Sequence, residues 1–200
     1  MKTRLVYLIR HGEDDPSVRG GWGNSKLTEN GIEQVQKLST YLKENCKIDK
    51  ILSSDIERAR QTAEIINSKL NTAIEYTEKL REMNNGLLAG MKNSVAEEKF
   101  PGVYFNTLEI DEKFPGGESP IEFYNRITKD FEQLLEENKD VLNIAMVTHG
   151  GVINAIYKYI NNQEWSNKIK SVKISNACFY ALEINEKERK FIIENYTVNG

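Results

Sequence analysis

The 200-residue sequence predicts one three-layer α/β/α domain, spanning 1–200, in which helices cover both faces of a mostly parallel sheet. Strand-like apolar segments alternate with amphipathic helical segments, an order that is typical of parallel sheets. Two of the apolar segments, 5–9 and 144–147, are each followed two residues later by a histidine and then a glycine. Because parallel strands end at the same edge of a sheet, we expect a functional site at that edge. A chain of this length suits one domain with a sizeable core better than two domains.

Three strands and two helices are predicted in the first half of the chain. The strands are short runs rich in apolar and β-branched residues, at 5–9, 50–53 and 74–76. A polar, glycine-rich connection from Asp14 to Lys26 precedes the first helix, which begins after Thr28 as its N-cap. The second helix runs from Ile56 to Leu70, and the preceding Ser54 and Asp55 are its expected caps.

The second half begins with a segment, 84–118, that has no regular apolar period and that we call the lid segment. Glycine, proline, asparagine and aromatic residues dominate it, and long irregular segments of this kind are usually functional lids or partly helical insertions. A helix follows, with Ser119 as N-cap, Pro120 at its first position and Glu122 completing a capping box. The last predicted elements are a strand at 144–147, a helix at 151–159, and hairpin strands at 176–183 and 191–198.

Composition and charge exclude several classes of protein. Hydrophobic residues make up 39% of the chain and charged residues 28%, which are globular values. The formal net charge of −3 gives no electrostatic signal for nucleic acid or an anionic membrane. No apolar run approaches the roughly 20 residues that span a bilayer, and Met1 leads into the first strand without room for a signal peptide. Cys46 and Cys178 lie far apart, as reduced thiols do. We therefore expect a cytoplasmic monomer or homodimer without nucleic-acid or membrane partners.

The chain has two histidines, and their shared sequence context makes both candidates for chemistry. His11 follows the first strand within Arg10-His11-Gly12-Glu13, and His149 precedes Gly150 after the later strand. A single histidine at a strand end is more often structural than functional. Two histidines in the same context are hard to attribute to chance, and the glycine beside each allows a backbone to approach a ligand closely.

These motifs resemble the histidine phosphatase superfamily, also called phosphoglycerate mutase-like, and the resemblance runs nearly end to end. Segment 54–63 is similar to the family's second motif, in which the arginine at the position of Arg58 binds phosphate. Segment 80–86 is similar to the family segment in which a glutamate four residues before a glycine is the general acid, here Glu82. The stretch Gly116-Gly117-Glu118-Ser119 resembles the broad-specificity phosphatase and ribazole-phosphate phosphatase branches.

The resemblance implies a phosphomonoester hydrolase that acts through a phosphohistidine intermediate. His11 is the expected nucleophile, and Glu82 is the expected acid that protonates the departing oxygen. A phosphoryl group needs convergent cations and backbone donors. The expected phosphate and substrate ligands are Arg10, Ser17, Gly20, Gly21, Arg58, His149 and Gly150. Three of them, Arg10, Arg58 and His149, are also expected to be catalytic, because they would hold positive charge beside the phosphoryl oxygens.

Two alternatives to a hydrolase remain open from the sequence. Cofactor-dependent phosphoglycerate mutases resemble the chain but carry arginine and tyrosine directly after the catalytic glutamate, where this chain has Met83-Asn84-Asn85. No arginine lies between Arg81 and Arg126, and acidic residues outnumber basic ones in the lid segment, which disfavours a doubly phosphorylated carboxylate there. A phosphate-ester binding module without catalysis is the second alternative, disfavoured because every expected catalytic residue is present.

Metal ions and cofactors are not expected. No group of Asp, Glu, His and Cys in the sequence has the spacing of metal ligands. The expected partners are therefore a small phosphorylated substrate and inorganic phosphate as the product. Aromatic residues in the lid segment favour a leaving group that is partly apolar.

Overall fold

A computed structural model describes residues 3–169 and 171–198, and it has the predicted three-layer architecture. The outermost residues of the predicted domain, 1–2 and 199–200, lie outside these ranges. The strands in the described ranges are β1 (Arg4–Arg10), β2 (Lys50–Ser54), β3 (Ala73–Thr77), β4 (Asn143–Thr148), β5 (Phe179–Ile184) and β6 (Arg189–Tyr196). They form one sheet in the order β3-β2-β4-β1-β5-β6. The first four strands are parallel, whereas β5 is antiparallel to β1 and forms the predicted hairpin with β6.

Helices cover both faces of the sheet. Those in the described ranges are α1 (Glu29–Asn45), α2 (Glu57–Leu70), α3 (Asn93–Lys99), α4 (Pro120–Glu137) and α5 (Gly150–Ile160). Because side chains alternate along a strand, Val6 and Leu8 of β1 pack with α4 and α5, while Tyr7 and Ile9 pack with α1 and α2. Apolar cores therefore occupy both faces, and polar side chains gather where the strands end.

The starts of α1 and α4 confirm two predictions from the sequence. The hydroxyl of Thr28 accepts the N–H of Gly31 over 3.0 Å and caps α1. Ser119 and Glu122 form the complete capping box of α4, in which each side chain accepts the backbone N–H of the other residue. Each cap satisfies N–H groups that the first turn of a helix leaves without partners.

The predicted capping of α2 by Ser54 and Asp55 is wrong. The N-cap residue is Ile56, which has no side-chain acceptor. The Asp55 carboxylate instead accepts hydrogen bonds from Arg81, with Nε at 2.7 Å, so it is not available to the helix. The hydroxyl of Ser54 accepts the N–H of Ile56 over 3.3 Å, just before the helix, and otherwise faces the site described below.

The lid segment is a partly helical insertion, as its sequence predicts. It contains the 3₁₀ turn Gly86–Leu88 and the short helix α3, and the rest of it is irregular. Backbone hydrogen bonds attach it to the connection between β1 and α1: Gly90 donates to Arg19, and Arg19 donates to Met91, both over 2.8 Å. The lid segment and the first connection are therefore fixed together on one side of the sheet edge.

Candidate active site

The two histidines lie side by side at the carboxyl ends of adjacent strands. β1 and β4 pair so that Arg10 stands opposite Thr148, and the N–H of His11 donates to the carbonyl of Thr148 over 3.0 Å. His11 and His149 therefore occupy equivalent positions, because each follows directly after one of the paired residues Arg10 and Thr148. Their ring centroids are 5.1 Å apart and the rings are tilted by 59°. The two strand ends build one site.

The imidazole of His11 is held as a neutral base. Its Nδ1 donates to the carbonyl of Gly12 over 2.7 Å, and Nε of Arg58 donates to its Nε2 over 3.2 Å. Because a guanidinium can only donate, Nε2 is the unprotonated nitrogen. Burial, followed by repulsion from Arg58 and Arg10, holds the pKa of His11 well below its usual value. A neutral ring with a fixed tautomer is what a histidine nucleophile needs.

Arg58 projects from the first turn of α2 and is almost fully buried. Its Nη1 and Nη2 donate to the carbonyls of Gly23 and Gly21 over 2.9 and 2.8 Å, and its Nε lies 3.6 Å from Oδ2 of Asp14. Burial lowers the pKa of Arg58, and the carboxylates of Asp14 and Glu82 oppose that shift. The glycine-rich connection thus fixes the guanidinium against the unprotonated Nε2 of His11.

His149 is fully buried, and its Nε2 lies 2.9 Å from the Ser54 hydroxyl. That oxygen also accepts the N–H of Ile56 and still has its own proton and a second lone pair, so the contact with Nε2 suits either neutral tautomer of His149. Nδ1 is buried without a hydrogen-bond partner among the described residues. Burial, with Arg58 as the next cause, holds the pKa of His149 well below its usual value. His149 is thus a neutral ring rather than the positive charge expected from the sequence.

Glu82 is held at the N-terminus of α5 by backbone groups. Its Oε2 accepts the N–H of Gly151 over 3.0 Å, and its Oε1 accepts the N–H of Met83 over 3.1 Å. A Cβ at position 151 would overlap the carboxylate, so the glycine is required for this approach. The carbonyl of Glu82 accepts from Nε1 of Trp22 over 2.7 Å and from Nη2 of Arg126 over 3.1 Å. Both its side chain and its backbone are therefore fixed.

Arg10 provides a cation next to the N-terminus of α5. Its Nη1 donates to the carbonyl of Ile174 over 2.7 Å, and its guanidinium lies against Gly150. Its Nε is buried and makes no hydrogen bond to the described residues. Nε of Arg10 is therefore a donor that an anion at the start of α5 would satisfy, and Nδ1 of His149 is a second one in the tautomer that carries its proton there.

Comparison with known proteins identifies the family. A family model for the histidine phosphatase superfamily, branch 1, matches residues 6–197. The chain belongs to the histidine phosphatase superfamily. It is 28% identical over 200 residues to a broad-specificity phosphatase of Saccharomyces cerevisiae, covering 94% of this chain and 83% of that protein.

Two further similar proteins support the assignment to this family. The chain is 29% identical over 200 residues to the metal-independent phosphoserine phosphatase of Arabidopsis thaliana, covering 96% of this chain and 80% of that protein. The crystal structure of the alpha-ribazole phosphatase from Shigella flexneri superposes with a TM-score of 0.84 at 26% identity, with 96% of each chain covered. The predicted family, fold and enzyme class, a histidine phosphatase that hydrolyses phosphate monoesters, are confirmed.

A cavity of about 370 Å³ opens beside this group of residues. Arg10, Glu82, Gly150 and Gly151 form the part of its wall that is next to the histidines. Much of the remaining wall is apolar and comes from the lid segment and from the chain after α5. The apolar lining residues are Met83, Leu88, Val103, Phe105, Phe114, Val172 and Ile174. A cavity of this size suits a small leaving group with apolar surface.

Of the predicted site residues, Arg10, Gly20, Gly21, Glu82 and Gly150 line this cavity. His11 contacts Arg58 and lies beside His149 next to that wall, whereas Ser17 lies apart. Gly20 and Gly21 line the wall, and the Gly21 carbonyl holds Arg58 as described above. Ser17 is exposed, its N–H donates to the Asp15 carboxylate over 2.9 Å, and it does not line the cavity. Ser17 lies in the turn at Asp15 and faces solvent, so the structure does not bring its hydroxyl to His11 and Arg58.

Arg19, Asn85 and Asn154 also line the cavity and were not predicted from the sequence. Each is one polar residue in a polar segment or on a helix, and no local pattern distinguishes it from its exposed neighbours. A weak signal existed for Arg19, because it directly precedes the glycine pair 20–21 in the first connection.

Metal ligands do not converge in the described parts of the chain. Within 3–169 and 171–198, no group of three or more His, Cys, Asp or Glu side chains is arranged to hold a metal ion. The positive charge beside His11 comes instead from Arg10 and Arg58. Metal-independent activity remains a prediction.

Proposed function

We propose that this histidine phosphatase hydrolyses the phosphate monoester of a small, partly apolar alcohol, with His11 as the nucleophile and Glu82 as the acid. The observation that carries the proposal is the neutral His11 ring, whose unprotonated Nε2 faces Arg58 and lies beside His149. The cavity next to Glu82 supplies a place for the alcohol.

The proposed reaction has two steps. In the first, Nε2 of His11 attacks phosphorus, the bond between phosphorus and the ester oxygen breaks, and Glu82 gives that oxygen a proton. In the second, water attacks the phosphohistidine, Glu82 takes a proton from the water, and inorganic phosphate leaves as the ring becomes neutral again. The ring proton on Nδ1 stays hydrogen-bonded to the Gly12 carbonyl throughout.

The proposed phosphoryl site is electrostatically prepared for this chemistry. Arg10 and Arg58 supply cations, and His149 supplies an N–H on Nδ1 in the tautomer that carries its proton there. The amide of Gly150 opens α5, where the helix dipole favours an anion, while the amide of Gly151 binds Glu82. Such prearranged donors stabilise charge on the transferring phosphoryl group without having to reorganise during the reaction.

Hydrolysis is favoured over phosphotransfer of the mutase type by the wall of the cavity. Arg10 and Arg19 are the basic residues that line the cavity, and the lid segment contributes mainly apolar side chains. A mutase must hold a second phosphate and a carboxylate at once, which needs several cations. A binding module without catalysis is disfavoured because the proposed nucleophile is a neutral ring with an unprotonated Nε2, which binding alone does not need.

The proposal is tested by phosphate release from 4-nitrophenyl phosphate and a panel of small alkyl phosphates, before and after exhaustive treatment with a chelator. We expect turnover that chelation leaves unchanged and that His11→Ala abolishes. A rate that falls on chelation and returns with magnesium or zinc would show that metal-independent chemistry is the wrong mechanism.

The biological setting is likewise part of the proposal. Within the described residues, no helix has the length and apolar character to cross a membrane. We propose a cytoplasmic enzyme, monomeric or homodimeric, whose partners are a phosphorylated small molecule and the phosphate it releases, and not nucleic acid.

A further inference from the structure

Arg19 places a second cation, besides Arg10, in the wall of the cavity. It lies in the connection between β1 and α1, and its backbone is fixed to the lid segment through Gly90 and Met91. Its guanidinium stacks 3.9 Å from the ring centre of Tyr104, which also lines the cavity. The Arg19 side chain is 14% exposed. Arg19 is thus a mostly buried cation in a wall that is otherwise largely apolar.

Two donors of this guanidinium are unused. Nε and Nη2 of Arg19 are buried and make no hydrogen bond to the described residues. Glu97 lies near, with its carboxylate 3.5 Å from Nη2, but that carboxylate already accepts the Tyr104 hydroxyl over 2.8 Å and the Gly102 N–H over 3.3 Å. Because Glu97 is half exposed, this pair contributes little. Buried donors without partners are costly, and a ligand that supplies acceptors relieves that cost.

We propose that Arg19 binds a carboxylate on the alcohol part of the substrate, so that the enzyme is selective for phosphate esters of small hydroxy acids. The proposal rests on the proposed function, since it names the class of leaving group for the same site. Nε and Nη2 form one edge of the planar guanidinium, and the two oxygens of a carboxylate match such a pair of donors.

A carboxylate fits this position better than a second phosphate. A phosphate would bring close to two negative charges, while Arg19 is one cation and the negative Glu97 lies beside it. The neighbouring Val103 and Phe105 offer apolar surface for the carbon chain of the alcohol and no further positive charge. Low local polarity strengthens the attraction between one guanidinium and one carboxylate.

The competing interpretation is that Arg19 only joins the first connection to the lid segment. Its stacking on Tyr104 and its contact with Glu97 would serve that purpose. In that case replacing Arg19 would disturb the cavity for every ester alike. Selectivity between two esters that differ only in a carboxylate therefore separates the two roles.

The test compares 3-(phosphonooxy)propanoate with its methyl ester, which removes the negative charge and retains the rest of the leaving group. In Arg19→Met, we expect kcat/KM for the carboxylate to fall by about 10- to 100-fold, the range for a hydrogen-bonded charge, while the methyl ester is nearly unaffected. Arg19→Lys retains the cation without the paired donors, so it should show a smaller loss with the same selectivity. This variant decides the outcome if Arg19→Met does not fold.

Arg60→Met is the matched control, because Arg60 stacks on Tyr76 at 4.3 Å on another part of the surface, and it should change neither rate. Equal losses on both esters, or no loss on either, would overturn the carboxylate assignment.

Calorimetry with 4-phosphonobutanoate and its methyl ester, which cannot be hydrolysed, should give the same selectivity in Kd. If the wild-type protein releases no phosphate from 4-nitrophenyl phosphate, the proposed function itself fails. If it does release phosphate but Arg19→Met shows no selective loss, only the assignment of Arg19 fails.

Discussion

The phosphoryl side of the site is built from strand ends and backbone groups, whereas the leaving-group side is built from loops. His11 and His149 follow paired strands, and Arg58 is fixed by two backbone carbonyls. Around the cavity, by contrast, Arg19 and Tyr104 come from the first connection and the lid segment. Loops tolerate changes in sequence that a paired strand does not.

The difference separates chemistry from specificity. Groups at the ends of core strands are positioned by the whole sheet, so the phosphoryl side is shared with any protein that has these strands and motifs. Side chains in the lid segment can change without disturbing the sheet, so the leaving-group side can differ between proteins that share this fold. Substitutions on the phosphoryl side should slow all esters alike, and those on the leaving-group side should depend on the ester.

Glu82 lies between the two sides, and its replacement should give the largest ester-dependent effect. An alkyl phosphate releases a strongly basic alkoxide, so Glu82→Gln should slow its hydrolysis by about 10²- to 10⁴-fold. A nitrophenolate leaves readily without a proton, so the same variant should hydrolyse that ester with a much smaller loss. The measurement is the variant-to-wild-type ratio of single-turnover phosphorylation rates for the two esters.

The control is Glu98→Gln, in an exposed part of the lid segment, which should alter neither rate. Equal losses on both esters would mean that Glu82 maintains the start of α5, through its bond to Gly151, rather than donating a proton. The acid would then be another group.

Arg58 tests the claim that the phosphoryl side treats all esters alike. Arg58→Met removes a charged donor beside the phosphoryl site and the bond that holds Nε2 of His11. Losing one such donor slows reactions of this kind by about 10²- to 10³-fold, and we expect a similar loss for alkyl and aryl phosphates. A loss confined to one class of ester would place Arg58 on the leaving-group side and contradict the division.

The smallest expected effect is on stability and follows from the burial of both histidines. Their folded-state pKa values lie well below the usual value of a histidine, so below about pH 6.5 the unfolded chain binds protons that the folded chain does not. The free energy of unfolding therefore falls as the pH drops, by up to about 1.4 kcal/mol per pH unit for each histidine.

Urea unfolding of the wild-type protein and of His149→Gln between pH 7.5 and 5 measures this contribution. The slope with pH should be smaller in the variant, because one buried neutral ring is gone while the carboxylates are unchanged. Identical slopes would mean that His149 takes up a proton in the folded protein as easily as in the unfolded chain.

The sequence predicted the strands and helices around the two histidines because their signals are local. Apolar runs that end in His11 and His149 identify core strands, and the capping box at Ser119 fixes the start of α4. The error at Asp55 has the opposite origin. Its carboxylate pairs with Arg81, which is 26 residues away, and such a competing partner leaves no local trace.

The leaving-group side could not be predicted in the same way. Ser17 and Arg19 lie two residues apart in one polar connection, yet the first is exposed and the second lines the cavity. The backbone of each residue is held by hydrogen bonds to residues about 70 positions later. Ser17 bonds to Asn93, and Arg19 bonds to Gly90 and Met91. The neutral state of His149 also depends on burial and on Arg58, which sequence spacing does not report.

The most direct test of the central claim is to trap the phosphorylated enzyme during turnover. Rapid quenching with a labelled alkyl phosphate should yield one phosphate per chain that is labile in acid and stable in base, and peptide mapping should place it on His11. Absence of a covalent phosphoryl group under single-turnover conditions, or wild-type rates in His11→Ala, would contradict the account of His11 as the nucleophile.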